Sequence, residues 1–330
     1  MSSVVIKNPV VDARLPTLQA VLDPSALAPA LHKAVPAEWG EIWDLQTEVL
    51  QYHRASRCTM NILLQTTTGK RELIGKVYAT DRRDVYRVMK QLSENGFGPG
   101  AEFSIPQPIA FIPELQLLLL EKVEGPLTTE IFLKGNADEC ARVAERCAHW
   151  LAHFHAHAPR IGPVFVLTNE LLESWAHRLA KRAEQVIAKA LLLFERLAVI
   201  GIKRDGVEAC SCHGTYCHYQ IILNDTRTVT LDWDGYCVAD PTLDVARFMV
   251  ILQQLALNSQ ASLKALNGAG EVFYRTYLAA SRFQVAKQLP FYMAALYLKH
   301  AKDYVKRDDL RPKMAEAMLD EGLRILAEEM

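Results

Sequence analysis

Residues 210–220 read Cys210-Ser211-Cys212-His213-Gly214-Thr215-Tyr216-Cys217-His218-Tyr219-Gln220, and the fold class turns on what this stretch is. Cys210, Cys212, Cys217 and His218 offer four zinc-ligand side chains. Structural zinc sites, however, keep roughly two to four residues inside each ligand pair and use two separated knuckles. The single residue between Cys210 and Cys212 is too tight for a knuckle. If 209–212 is a strand instead, Cys210 and Cys212 point to one face and Ser211 to the other, and free cysteine behaves as a small buried hydrophobe.

Downstream, QIILNDTRTVTLDWD (residues 220–234) reads as an apolar strand, a turn at Asn224-Asp225 and a second strand ending in Leu231-Asp232-Trp233-Asp234. Asp240-Pro241-Thr242-Leu243-Asp244-Val245-Ala246 then leads into a helical pattern. This compact insert, 209–238, interrupts long amphipathic or apolar helical stretches at 137–157, 170–200, 241–257, 270–283, 288–305 and 311–329. No internal repeat or low-complexity tract appears.

The first 125 residues follow a different pattern. Residues 16–35 and 40–50 carry apolar positions at mixed helical spacing and predict short helices. CTMNILLQT, a polar turn with Gly69, and RELIGKVYAT predict a β-hairpin. Residues 81–95 place Val85, Val88, Met89 and Leu92 on one helix face closed by Gly96, and IPQPIAFIPELQLLLLEKVEG gives two further strands broken at Pro113-Glu114. The expectation is an α+β chain: a small antiparallel-sheet lobe over 1–125 and a larger, mostly helical lobe over 126–330.

His213-Gly214 followed at a fixed distance by Gln220, then Leu231-Asp232-Trp233-Asp234, then Asp240-Pro241-x-x-Asp244-x-Ala246, resembles the catalytic segment of the aminoglycoside phosphotransferase and choline kinase family, which has the protein-kinase-like fold. The family pattern is H-G-D-x-x-x-x-N, an apolar strand, an [I/L]-D-[W/F]-[D/E] strand end and D-P-x-x-D-x-A. The resemblance runs from about residue 50 to 250 and implies a two-lobed kinase binding ATP and Mg²⁺ in the cleft of the lobes. It implies transfer of the γ-phosphoryl group to a small-molecule hydroxyl. Phosphoryl transfer rests on positioning and charge neutralisation, so ligands from adjacent strand ends must converge. Asp232 is then the principal metal ligand, and Gln220 offers an amide oxygen where the family more often has Asn. Asp244 is expected to anchor the loop as a cap near a helix start.

Thr215 stands where the family places the aspartate that accepts or orients the substrate proton. General-base help is worth roughly 10²–10⁴-fold, so its loss predicts a slowed or differently substituted enzyme. His213 would orient the loop by hydrogen bonding, and His218 and Asp234 are possible stand-ins for the base. Lys76, flanked by Ile74, Val77 and Tyr78, matches the phosphate-contacting lysine, unless it is an edge-strand lysine facing solvent. Asp84 and Glu94 are the helix carboxylates on offer as its partner, and Glu94 falls nearer the usual distance along the chain. Glu121-Lys122-Val123 resembles the segment that presents backbone groups to adenine, with Gly125 releasing the chain. HRASRCTMNILL lacks the glycines that let backbone N–H groups approach phosphate; Arg54 and Arg57 would bind it by side chain or merely cover the sheet edge. Among the histidines, His149, His153 and His157 share one helix face without a carboxylate to complete a metal site, and Phe154-His155 takes the place where the family packs a histidine against the catalytic loop.

The 37 basic and 38 acidic side chains create no global field for nucleic acid or an anionic membrane, so phosphate binding must be local. No apolar run approaches the roughly 20 residues that span a bilayer, and no signal-peptide pattern opens the chain. Together with an odd seven cysteines, this predicts a cytoplasmic protein with reduced thiols. The competing expectation is a pseudokinase-like binding protein, for which Thr215 and the glycine-free loop speak. Trp175, Tyr274, Tyr292 and Asp303 are open between acceptor pocket and core, and a fold alone does not fix a substrate.

Overall fold

A computed structural model describes residues 12–180, 184–201, 208–260, 262–306 and 309–328. The parts of the predicted 170–200 and 311–329 helices that fall on 181–183 and 329 lie outside these. The chain divides into two compact units. One holds the chain up to Gly125 and takes in Asn224–Leu231; the other holds Pro126–Leu223 and the chain from Asp232 onward.

In the first unit, Asp23 caps a helix by accepting from Ser25 N at 2.9 Å, with Pro24 in its first turn. This is α2 (Pro24–Ala34), preceded by α1 (Leu18–Leu22). Of residues 40–50, expected as helix, 42–50 instead lie in a twelve-residue strand, β1 (Ile42–His53). Its pairing slips between Ile42 and Asp44 and again between Val49 and Gln51. Such irregularities break the two-residue period that marks a strand, which explains the mixed spacing of its apolar residues.

The predicted hairpin is β2 (Arg57–Thr66) and β3 (Gly69–Tyr78). Cys58, Met60, Ile62 and Leu64 alternate along β2 and are fully buried. α3 (Arg83–Leu92) buries Val85, Val88, Met89 and Leu92 and gives way to a wide turn in which Gly96 takes a positive φ of 97°. β4 (Phe103–Ser104), β5 (Pro108–Ile112) and β6 (Leu117–Glu121) follow. The antiparallel sheet runs β1-β2-β3-β6-β5, and Leu18, Val21, Leu27 and Leu31 of the first two helices share one buried cluster with its strands.

The second unit is mostly helical. α4 (Thr128–Lys134) and α5 (Ala137–His157) come first, the latter opened by a capping box in which Asn136 and Glu139 satisfy each other's backbone N–H. α6 (Asn169–Ala180) and α7 (Ile187–Ile200) lead to β7 (Cys210–Cys212) and β8 (Ile221–Leu223). β9 (Thr228–Thr230) falls in the first unit, where it pairs in parallel with β4. β10 (Cys237–Ala239) returns antiparallel to β7. α8 (Thr242–Gln260), α9 (Asn267–Ala280), α10 (Leu289–Ala301) and α11 (Pro312–Ala327) complete it. Trp150 stacks between Phe154 and Tyr216, at centroid distances of 5.1 and 5.4 Å, and ties α5 to the loop after β7. All seven cysteines are free and buried. Among the described residues no helix is long and apolar enough to cross a membrane.

Candidate active site

The loop leaving β7 is held from below. Gly214 turns with φ 75°, and a Cβ there would sit 2.1 Å from the Gly235 carbonyl oxygen, so only glycine fits. Asp244, in the first turn of α8, accepts from the backbone N–H of His213 at 2.7 Å and of Gly214 at 2.8 Å. His155 Nε2 lies 3.3 Å from the same carboxylate, and His155 Nδ1 lies 2.8 Å from the Tyr277 hydroxyl. Burial alone would push the Asp244 carboxyl up; the His155 hydrogen bond and charge, with His213, outweigh it and hold the carboxyl below its ordinary value. Burial likewise presses His155 down, and the neighbouring Cys210 and Asp244 more than reverse this.

Above that anchor, Thr215, Gln220 and Asp232 form a connected row. Thr215 Oγ1 is 3.1 Å from His213 Nδ1, and Gln220 Nε2 reaches Thr215 Oγ1 at 3.4 Å and Asp232 Oδ2 at 3.3 Å. Asp232 sits at φ 63°, ψ 69°. A non-glycine residue in the left-handed region carries strain, which gathers at functional sites. The ring of His213 meets Trp233 edge to face at 4.7 Å.

Gln220 is not seated as the metal ligand expected of it. Burial pushes the Cys217 thiol up to about 12, so it keeps its proton at neutral pH. It donates to Gln220 Oε1 at 3.1 Å. The amide oxygen is thereby committed to sulfur, and the amide nitrogen faces Asp232. A hard cation needs oxygen donors, so Asp232 fits one as it stands, while Gln220 would first have to rotate its amide and give up Cys217. In its present seating Gln220 is a donor that fixes the carboxylate.

His218, a candidate stand-in for the base, faces elsewhere. Its Nδ1 lies 2.7 Å from Thr129 Oγ1 of α4, its carbonyl accepts from Thr128, and burial pushes its imidazole down to about 4. The zinc reading of 210–218 fails on the same ground, because Cys217 and His218 are engaged away from Cys210 and Cys212. Those two sulfurs lie 4.0 Å apart, and the third ligand type near them is His155, whose two ring nitrogens already serve Tyr277 and Asp244. His153 and His157 stack on each other at 4.3 Å.

In the first unit, Lys76 is only 8% exposed, and β3 lies inside the sheet between β2 and β6. The edge-strand alternative therefore does not hold. Glu94 lies 4.0 Å from Lys90 one helical turn back, with its side chain 61% exposed. Glu121 uses its carboxylate locally, accepting from Gln107 N at 2.9 Å and from Arg227 Nη1 at 2.9 Å, while Lys122 pairs with Glu72. Val123 is half-buried in the extended stretch that follows. The glycine-free turn after β1 is closed by Asp12, whose Oδ2 accepts from Ala55 N at 2.6 Å and from the Tyr52 hydroxyl at 2.7 Å. Sequence reasoning missed Asp12 because 43 residues separate it from Ala55.

The model of the phosphotransferase enzyme family matches residues 61–280, more than half of the chain. No curated protein sequence matches. Among solved structures, a thermostable mutant of aminoglycoside phosphotransferase APH(4)-Ia is similar at a TM-score of 0.60 and 13% identity, over 92% of this chain and 99% of that one. The choline kinase LicA from Streptococcus pneumoniae is similar at 0.54 and 16%, over 88% and 96%. Spectinomycin phosphotransferase APH(9)-Ia, solved with ADP and spectinomycin, is similar at 0.58 and 12%, over 92% and 97%. The fold is thus protein-kinase-like, and by its match across 61–280 the chain belongs to the phosphotransferase enzyme family.

Proposed function

We propose that the protein transfers the γ-phosphoryl group of ATP to a hydroxyl of a small molecule, with magnesium held chiefly by Asp232. The observation that carries this reading is the strained Asp232 carboxylate joined through Gln220 to Thr215, the position next to which the acceptor hydroxyl must come. Similar folds have been solved with ADP and with AMP-PNP and Ca²⁺, which supports a nucleotide as the donor. Magnesium ATP, when bound, supplies the transferable phosphoryl group and the cation that offsets its charge. Lys76 binds phosphate oxygens from its buried strand position, and backbone groups of Glu121 to Val123 meet the base. Gln220 orients Asp232 by donating to it.

The missing carboxylate at 215 leaves the proton to a relay. Gln220 donates to Thr215 Oγ1, which directs the threonine's own proton toward His213 Nδ1 at 3.1 Å. As the acceptor oxygen attacks, its proton passes to Thr215 Oγ1 while the threonine proton passes to His213. The adjacent Asp244 charge stabilises the imidazolium so formed. Thr215→Val is therefore expected to lower kcat for ADP release by about 10²-fold, the low end for a general base. Thr215→Ser should stay near wild type, and Thr215→Asp should match or exceed it. An unchanged rate in Thr215→Val would remove the relay from the account.

A second reading, nucleotide binding without turnover, draws on Gln220 turning its nitrogen to Asp232 and on Asp12 occupying the Ala55 amide. Background ADP release in wild type and in Thr215→Asp alike, alongside intact magnesium-dependent ATP binding, would favour it.

A further inference from the structure

Arg247 lies in α8, three residues after the Asp244 anchor, and is only 7% exposed. Its Nη1 meets His300 Nε2 at 3.2 Å, while its Nε is buried with no hydrogen-bond partner among the described residues. His300 is no counter-ion. Burial pushes its imidazole down to about 4, and its Nδ1 lies 3.1 Å from Asp303 Oδ2, so the neutral ring passes one hydrogen bond from Arg247 toward that carboxylate. The Asp303 side chain is itself 31% exposed. A second cation stands close by. Lys299 lies 5.2 Å over the Trp175 ring, and burial, with Arg247 and Lys302, pushes its ammonium down to about 8.

A buried guanidinium whose hydrogen-bond partners are a neutral histidine and Tyr219, with the half-buried Lys299 close by, has no carboxylate counter-ion among the described residues. Such a group carries a large desolvation cost unless an anion joins it. The charge also reaches the candidate active site: Arg247 donates a hydrogen bond to the Tyr219 hydroxyl and acts electrostatically on Cys217, within the loop that ends at Gln220. Guanidinium geometry suits two-point contact with carboxylate or phosphate oxygens.

We propose that Arg247 and Lys299 form an anion subsite beside the Thr215–Gln220 loop, and that the acceptor carries a carboxylate or phosphate group on the molecule whose hydroxyl is phosphorylated. That it serves the acceptor rests on the phosphotransferase reading; the anion subsite rests on the Arg247 and Lys299 charges alone. Trp175, under Lys299, would face the carbon skeleton. A purely cationic acceptor is disfavoured here by like charge.

The test measures the melting temperature of the full chain in sodium phosphate and in sodium acetate, each against sodium chloride of equal ionic strength, for wild type, Arg247→Met and Lys299→Met. At tens of millimolar, the favoured anion should raise the wild-type value by about 2–4 °C over chloride through binding to the folded state alone. Phosphate and acetate tell the two chemistries apart. The excess should vanish in Arg247→Met and shrink in Lys299→Met. No excess over chloride in wild type, or an undiminished shift with the favoured anion in Arg247→Met, would overturn the proposal. If Arg247→Met does not fold, Lys299→Met decides alone. A parallel titration with magnesium ATP separates the readings: its shift should survive in Arg247→Met, and its absence alongside an intact anion shift would sink the phosphotransferase reading and leave the anion subsite standing.

Discussion

Asp244→Asn is expected to destabilise the protein by about 3–5 kcal/mol, the range found when one partner of a buried charge pair is removed. Both carboxylate oxygens accept backbone N–H groups, from His213 and Gly214, at 2.7 and 2.8 Å. An amide can accept only one of them and turns its own N–H toward the other, leaving buried donors opposed. The loss also strands His155, which is fully buried against the same carboxylate. Urea unfolding of the two proteins reads the difference directly. The pair's effect has a pH window. The folded pKa of Asp244 is depressed, so its share is present above the unfolded value of about 3.9 and lost as pH falls through the folded value; that of His155 is raised, so its share is present below about 6.5 and lost as pH rises through its folded value. The gap between wild type and Asp244→Asn should therefore narrow as acid titrates Asp244 and narrow in part as base titrates His155.

Asp232→Asn should cost little stability but about 10³-fold in the rate of ADP release, equivalent to about 4 kcal/mol of barrier. The amide keeps the size of the side chain and the hydrogen-bonding reach to Gln220, while removing the negative charge that a hard cation requires. A steady-state assay of ADP formation checks it. A variant within tenfold of wild type would mean that the metal is held elsewhere.

These two residues also mark what the sequence made legible. Asp232, Asp244 and His213 sit in local patterns whose spacing follows from one strand–loop–strand–helix path, and the long helices announce themselves by periodicity. β1 did not, because two slips in its register erase the alternation of a strand. The orientation of Gln220 was illegible for another reason. It depends on the Cys217 sulfur keeping its proton, a consequence of burial that no residue pattern encodes. Arg247 and His300, and Asp12 and Ala55, come together only by folding over separations of 53 and 43 residues. Thr215, in contrast, was visible at once as a departure from the family pattern, and only its distance to His213 suggested what it could do.

The central claim is a magnesium-dependent nucleotide site built on Asp232. The measurement that tests it most directly is the melting temperature of the wild type and of Asp232→Asn with ATP titrated in MgCl₂ and, separately, in EDTA. A ligand that binds only the folded state at about 100 times its Kd stabilises by about 2.7 kcal/mol. The expected result is a wild-type shift in MgCl₂ that is largely lost in EDTA and in Asp232→Asn. An equal shift with and without magnesium, or no shift at millimolar ATP, would contradict it.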